Sequence, residues 1–502
     1  MIQRILKMLG ALGASTGFTL LTQLMLPPAF LHFYGIKLYG EWIVIAGTLS
    51  YLGTLNFGIT TYASNELTML HKRGDRVQYR RVQGSTLALL LGMVAIGLII
   101  TSSVFVVPLA KLLHLSAIAP RDVTLTAFFL GMQMLVNIIA GYYNNLFMVV
   151  QHSHRGLMWG VARYFGATLA CFTLILFRVD FRFLALGQFA AVSVIALASV
   201  FDLKRLMRPL PLGLASADWE TAVKTLKPSG MFAMILGQQI LTYQLPVNIL
   251  QWILGPSVVV LFSTSRTVLS SARQLLSPIT NAIAPEITFS YANRDMKKML
   301  YIFHQSERIV FAGIPIANLG AFLFAPIIVR VWLHRPALFD LPTYALMALI
   351  SSAISMREHK QFFQFSTNVH KRLSIIVLCA NVIMVACSVP LVMEFGLDGF
   401  LFAWLASEVT QMGLIYLENR KLFEEDASIT FMPVLKLAAV MVVSLPVCMA
   451  LLEFALQRSL SAVAAAAVAC ELAIIAESFF VFGLRDAWAE FADKMRGRVR
   501  PA

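Results

Sequence analysis

The chain has 502 residues, 58% of them hydrophobic and only 13% charged, with a formal net charge of +14 and a mean hydropathy of +0.75. Apolar runs of about twenty residues, the length that crosses a hydrocarbon core, recur along the whole chain. This composition excludes a water-soluble globular domain and predicts an all-α polytopic membrane protein.

The first apolar run follows Arg4 and Lys7, as in a secretory leader, but it is too long for a leader and many spans follow, so it reads as a retained first helix. Fourteen transmembrane helices are predicted, near 9–34, 39–64, 84–110, 123–150, 156–177, 182–201, 228–254, 256–290, 306–333, 341–368, 373–394, 398–418, 433–455 and 459–483. An even number puts both termini on one side. Of the 40 Lys and Arg, about 27 fall at the termini and the even-numbered connections, about 8 at the odd-numbered ones and about 5 inside spans. The positive-inside rule then places both termini in the cytoplasm, with "HKRGDRVQYRR" (71–81), "DLKRLMR" (202–208) and "NRDMKK" (293–298) carrying the signal. The net charge is thus largely topological; anionic lipid is a secondary contact and no nucleic-acid partner is expected.

Outward connections are short, the longest being "KLLHLSAIAPRD" at 111–122, which leaves no outer domain to hold an active site. The longest inward connection, 202–227, has a Pro-rich break and then Trp219, Val223 and Leu226 on one side with Lys224 and Lys227 near the other. That pattern predicts an interfacial helix or a connector resting on the membrane surface. At an offset of 220 residues "LTQLMLPPAFLHFYG" (21–35) meets "LTYQLPVNILQWILG" (241–255), pairing Leu21 with Leu241, Thr22 with Thr242 and Gly35 with Gly255. The expected organisation is a six-helix lobe over 1–205, a cytoplasmic linker with the interfacial helix over 206–227, a second six-helix lobe over 228–425, an additional helix pair over 426–484 and a basic cytoplasmic tail over 485–502. In the tail, Trp488, Phe491 and Met495 share one side, as in an inner-surface anchor.

The five cysteines, Cys171, Cys379, Cys387, Cys448 and Cys470, lie in apolar spans without metal-type spacing, so neither a disulfide framework nor a metal site is expected. His152 and His154 read as solvated side chains of a short inward turn. No P-loop occurs, and no cofactor is expected. Prolines within or at the ends of spans (Pro27, Pro28, Pro246, Pro278, Pro285, Pro315, Pro390, Pro446) permit kinks.

The chemistry lies in polar residues inside spans. Arg266 and Arg273 stand seven residues apart in the eighth span, on one face, in the stripe Arg266, Ser270, Arg273, Ser277, Asn281. Arg266 is about 15 Å from the outer end, near the midplane, where a charge needs a partner or a wet cavity. A substrate role and a structural ion pair are both open for these arginines. In the tenth span Arg357, Gln361, Gln364 and Asn368 advance by 4, 3 and 4 with Lys360 beside them, either lining a cytoplasmic vestibule or extending into solvent. The seventh span offers Gln244, Asn248 and Gln251 on one face and the fourth Gln133, Asn137 and Asn144; amides suit sugar hydroxyls and also join helices. No acid falls deep in the first six spans: Glu41 and Glu66 sit at span ends, and the central acids are Glu408 and Glu471. Glu408 has three open roles: to carry a coupling proton, to act as counter-ion to an arginine, or to pack.

The segment "FYGIKLYGEWIVIAGTLSYLGTLNFGITTYASNEL" (33–67) resembles the start of the bacterial polysaccharide transporter family, with its Tyr-Gly, aromatic, small residues and "FGI" ending. The resemblance continues in "FSTSRTVLSSARQLLSPITNAIAPEI" of the eighth span and "FGLDGFLFAWLASEV" (395–409) of the twelfth. This family includes O-antigen flippases and shares a superfamily with MATE-type multidrug antiporters and the flippase of the peptidoglycan lipid precursor. The resemblance implies a MATE-like arrangement of two lobes that open alternately, in a bacterial inner membrane. The implied activity moves an undecaprenyl-diphosphate-linked oligosaccharide, an O-antigen or exopolysaccharide repeat unit, between leaflets without covalent chemistry. Glycan polymerase and glycosyltransferases of the same pathway are the implied partners. It also matches Arg266 to a substrate-facing arginine of the lipid-precursor flippases. A MATE-like cation or drug antiporter is the alternative and is opposed by the missing acids. A membrane-embedded glycan polymerase or ligase is opposed by the missing outer loop.

Overall fold

The computed structural model describes residues 2–56, 58–150, 152–207, 213–225, 240–277, 280, 283, 287, 290, 291, 294–367, 369 and 371–484, with side chains described except at 2–12, 14, 16, 20, 61, 65, 69, 72 and 240. The Pro-rich break at 208–212, Leu226, Lys227, Pro278, Asn281, Pro285, Asn368 and the tail anchor Trp488, Phe491 and Met495 lie outside the described residues. Among the described residues all regular structure is helical, and the chain divides into two compact units, Met1–Val260 and Leu261–Ala502.

The first unit contains α1 (Ile2–Phe33), α2 (Gly35–Ser50), α3 (Ile59–Arg73), α4 (Arg76–Ser102), the short α5 (Leu109–Leu112), α6 (Pro120–Leu146), α7 (Ser153–Leu176), α8 (Phe181–Leu206) and α9 (Leu245–Leu254). Helix α10 (Pro256–Gln274) begins there and continues into the second unit, which adds α11 (Met296–Ile328), α12 (Leu341–Ser366), α13 (Lys371–Leu422), α14 (Met432–Leu456) and α15 (Leu460–Val481). Local chemistry sets the starts. Asp75, Asp295, Asp340 and Ser459 each accept a backbone N–H from three residues ahead, at 2.9 to 3.1 Å, capping α4, α11, α12 and α15.

Eight helices among the described residues are long and apolar enough to cross a membrane. Their outer faces carry large exposed apolar side chains, Ile99 (72% exposed), Val442 (69%) and Phe480 (74%) among them, an arrangement suited to lipid and not to water. The protein is a multi-pass membrane protein. Each of the fourteen predicted spans overlaps helix among the described residues.

Several of those spans depart from their predicted form. The second, expected to run unbroken over 39–64, is split into α2, a 3-10 turn over Tyr51–Asn56, and α3. Gly58 adopts the left-handed conformation at φ 69°, and the Asn56 amide takes over capping by accepting the Thr60 N–H at 3.3 Å and donating to its hydroxyl at 3.0 Å. The eleventh and twelfth merge into α13, bent at Gly396, whose φ of 62° and ψ of −141° are non-helical. The glycines paired by the 220-residue offset, Gly35 and Gly255, each follow a helix end at positive φ.

The linker docks on the first unit. A helix over 219–225 is capped by Asp218, whose Oδ2 accepts the Thr221 N–H at 2.9 Å and its hydroxyl at 2.6 Å. The Ser85 hydroxyl holds the Asp218 backbone from both sides, donating to its carbonyl at 2.9 Å and accepting its N–H at 2.8 Å. Trp219 (78%) and Val223 (48%) are exposed together while Ala222 is buried, so this short helix has one apolar face open and one packed.

Candidate functional site

In the second unit, α12 turns its 4-3-4 stripe inward between α11 and α13. Arg357 donates through Nε to Glu408 Oε2 at 2.6 Å and through Nη1 to Gln361 Oε1 at 3.1 Å. The other Glu408 oxygen accepts the Trp404 indole N–H at 3.2 Å. Glu408 is fully buried and Arg357 8% exposed, so each supplies the charge that makes the other's burial tolerable. One turn on, Lys360 is ion-paired with Glu307 and its ammonium lies 4.3 Å from the Phe303 ring centroid and 5.3 Å from that of Phe311. Gln364 donates to Asn419 Oδ1 at 2.8 Å, and Asn419 donates to the Lys360 carbonyl at 3.1 Å. His359, fully enclosed, shares a 2.9 Å hydrogen bond with Ser306. Neither tenth-span expectation, a vestibule lining or a solvated extension, describes this arrangement: Arg357, Lys360, Gln361 and Gln364 sit in a buried polar network.

Glu307 was absent from the central acids because the ninth span was predicted to start at 306. Asp295 starts α11 three turns earlier, which carries Glu307 inside the packed bundle.

The eighth-span arginines divide. Arg273 is paired with Glu358. Arg266 is half-buried, its guanidinium carbon 5.2 Å from the Phe262 ring centroid. Phe262 packs on Trp404 at 6.1 Å and on Phe400 at 5.5 Å. One chain of contacts therefore runs from Arg266 through Phe262 and Trp404 to Glu408 and Arg357. Beside this network a cavity of about 600 Å³ is lined by His304, Glu307, Arg308 and Lys436, with Phe480 among its apolar residues.

The amides of the first unit do different work. Asn248 donates to the Tyr51 hydroxyl at 3.0 Å and accepts from Thr48 at 3.1 Å, tying α9 to α2. Gln251 donates to the His114 carbonyl at 3.2 Å, and the Gln244 Oε1 lies near Gly47. Gln133 is buried with its Oε1 lacking a hydrogen-bond partner among the described residues, and Asn137 is half-buried on the same helix. Glu41, expected at a span end, is fully buried and accepts the backbone N–H groups of Ser116 and Ala117 at 2.7 Å and of Ile118 at 3.0 Å.

Sequence reasoning passed over Arg163. It lies ten residues into α7, 8% exposed, in a cavity of about 660 Å³ enclosed by residues of α1, α3, α6 and α7. The signal was Gly156 and Gly160 at helical spacing before it. A Cβ at Gly156 would strike the Asn144 backbone, so this glycine lets α7 close on α6, and Arg163 lies on the same helical face. Among the described residues no cluster of three or more His, Cys, Asp or Glu could hold a metal ion.

No family model and no curated protein matches the chain. Solved structures do. The chain is similar to the lipid II flippase MurJ in its inward closed conformation, at a TM-score of 0.65 and 11% identity, over 96% of this chain and 99% of that one. It is similar to an inward-facing multidrug resistance MATE family transporter of the MOP superfamily, at a TM-score of 0.62 and 13% identity, over 82% of this chain and 96% of that one. A third likeness is to a MOP superfamily transporter from Pyrococcus furiosus Vc1 described for the reverse polarity of its binding pocket, at a TM-score of 0.59 and 12% identity, over 84% of this chain and 95% of that one. At such identities what is shared is architecture: this chain has a MATE-like fold.

Proposed function

We propose that the protein is a flippase that moves an undecaprenyl-diphosphate-linked oligosaccharide, an O-antigen or exopolysaccharide repeat unit, from the inner to the outer leaflet of a bacterial inner membrane by alternating access. Both termini are cytoplasmic in this reading. The observation that carries it is the extent of the likeness: the lipid II flippase matches 96% of the chain, the multidrug transporter 82%. Charge supports the same cargo. Glu41, Glu307 and Glu408 are already engaged by backbone amides, Lys360 and Arg357, and the described residues lining the first-unit cavity include Arg163 and no carboxylate. A cation carrier needs an available acid; an anionic diphosphate needs a buried base.

In this reading Arg266 and Arg273 serve the diphosphate, with Arg357, Lys360, Gln361 and Gln364 holding the surrounding network in register. Gln244, Asn248, Gln133 and Asn137 are the candidate contacts for sugar hydroxyls. Glycosyltransferases supply the substrate and a glycan polymerase consumes it.

A second reading, a cation antiporter, is favoured by Glu471 on α15, whose Oε2 is buried without a hydrogen-bond partner beside Gly320. Vesicles containing the purified protein separate the two. The first reading expects leaflet exchange of a polyprenyl-diphosphate glycan and no efflux of a cationic dye. Dye efflux lost in Glu471→Gln, with no lipid exchange, would establish the second.

A further inference from the structure

The cavity of the first unit has an anchor that nothing around it explains. We infer that it is a binding site for a phosphate group, gripped by the Arg163 guanidinium and the Asn144 side-chain amide.

Arg163 is more than nine-tenths buried, and its Nε and Nη1 are buried without a hydrogen-bond partner among the described residues. Asn144, 8% exposed, has both Nδ2 and Oδ1 in the same condition. Both residues line one cavity of about 660 Å³, and among the described residues no Asp or Glu shares that lining. A guanidinium with two nitrogens out of water and no acceptor for them among the described residues is costly, so a structure that holds one there implies an anion for part of its working cycle.

The fold builds this place deliberately. Gly156 lets α7 close on the end of α6, which sets Asn144 against the α7 backbone. The break in the second predicted span turns Asn56 and Thr60 toward the same space, and Ser15 and Thr19 of α1 line it as well. The polar part of the lining is thus one cation with amides and hydroxyls, beside the apolar Met148, Leu157 and Val161. A planar guanidinium fork offers paired donors to two oxygens of one tetrahedral anion, which favours a phosphate mono- or diester over a halide. The volume exceeds that of phosphate, and the hydroxyl-bearing lining suits a polar substituent on it. Two sources share this chemistry: the headgroup of a phospholipid or diphosphate lipid, and a free sugar phosphate.

The test uses purified full-length protein and no glycan lipid, so its outcome is independent of the flippase reading. In the free arm, glucose 1-phosphate and inorganic phosphate are titrated at constant ionic strength against KCl, following the unfolding temperature by tryptophan fluorescence. In the lipid arm, native mass spectrometry compares retention of phosphatidic acid with that of diacylglycerol. Saturable, phosphate-specific binding is expected in at least one arm, the free arm alone indicating a soluble ligand and the lipid arm a headgroup. Arg163→Met should weaken it at least about tenfold, from loss of charged hydrogen bonds, and Arg163→Lys should restore part of it. Asn144→Ala, which leaves the buried charge in place, should weaken it less, and it decides the matter if Arg163→Met does not fold. Absence of phosphate-specific binding in both arms, or equal affinity in the wild type and the Arg163 and Asn144 variants, would overturn the assignment.

Discussion

Glu408 joins Arg357 at 2.6 Å through one oxygen and Trp404 at 3.2 Å through the other, fully buried. A carboxylate in that position is a counter-ion first. Replacing it by Gln leaves the Arg357 charge buried and uncompensated, and removal of one partner of such a pair costs about 3–5 kcal/mol. We expect Glu408→Gln to lower the yield of folded protein sharply, and the double variant Glu408→Gln with Arg357→Met to recover much of it. Normal yield in the single variant, with flipping that no longer responds to an imposed proton gradient, would assign Glu408 to coupling instead.

Glu41 is the equivalent anchor of the first unit, receiving three backbone N–H groups from Ser116, Ala117 and Ile118. Hydrogen bonds to a charged group contribute about 1.5–3 kcal/mol each, not additively. Glu41→Ala should therefore destabilise the protein by at least about 2 kcal/mol and expose the 111–119 connection to protease. Thermal unfolding and limited proteolysis of purified protein check both effects.

Gly396 turns α13 at φ 62°, with open space where a Cβ would project. Steric room does not remove backbone strain, which costs about 1–3 kcal/mol for a side chain in that region. Gly396→Ala should lower the unfolding temperature, whereas an alanine at Gly92, a helical position with open space around it, should leave it unchanged or raise it.

The linker cap carries a pH dependence. Hydrogen bonding from the Thr221 hydroxyl, and then its N–H, holds the Asp218 carboxyl below the usual carboxylate range. A carboxyl titrating lower when folded contributes stability above its unfolded value, near about 3.9, and loses it as the pH falls through the folded one. Hydrogen exchange of residues 219–225 should accelerate relative to α4 on acidification below that range, and Asp218→Asn should remove the difference.

Helix positions were largely legible because each span is a long apolar run; the break after Ser50 and the junction at Gly396 were not. The 4-3-4 stripe of the tenth span was legible because helical spacing alone puts Arg357, Gln361 and Gln364 on one face. What faced that stripe was not: Glu307 lies 53 residues from Lys360, and its depth depended on Asp295 starting α11 early. Glu41 looked terminal because its partners are backbone amides, which leave no side-chain signature. Arg163 was hidden by its position near a predicted span end, where a basic residue ordinarily snorkels; it shares a helical face with Gly156, which lets α7 close on α6.

The most direct test of the central claim is a leaflet assay in vesicles at matched protein levels, following a fluorescent undecaprenyl-diphosphate oligosaccharide with wild type, Arg266→Ala and Arg266→Lys. The account predicts exchange by the wild type, none above protein-free vesicles for Arg266→Ala, and partial exchange for Arg266→Lys, which keeps the charge and loses the two-pronged geometry. No exchange by wild-type protein competent to fold would contradict the flippase reading, and full exchange by Arg266→Ala would remove the diphosphate from this arginine.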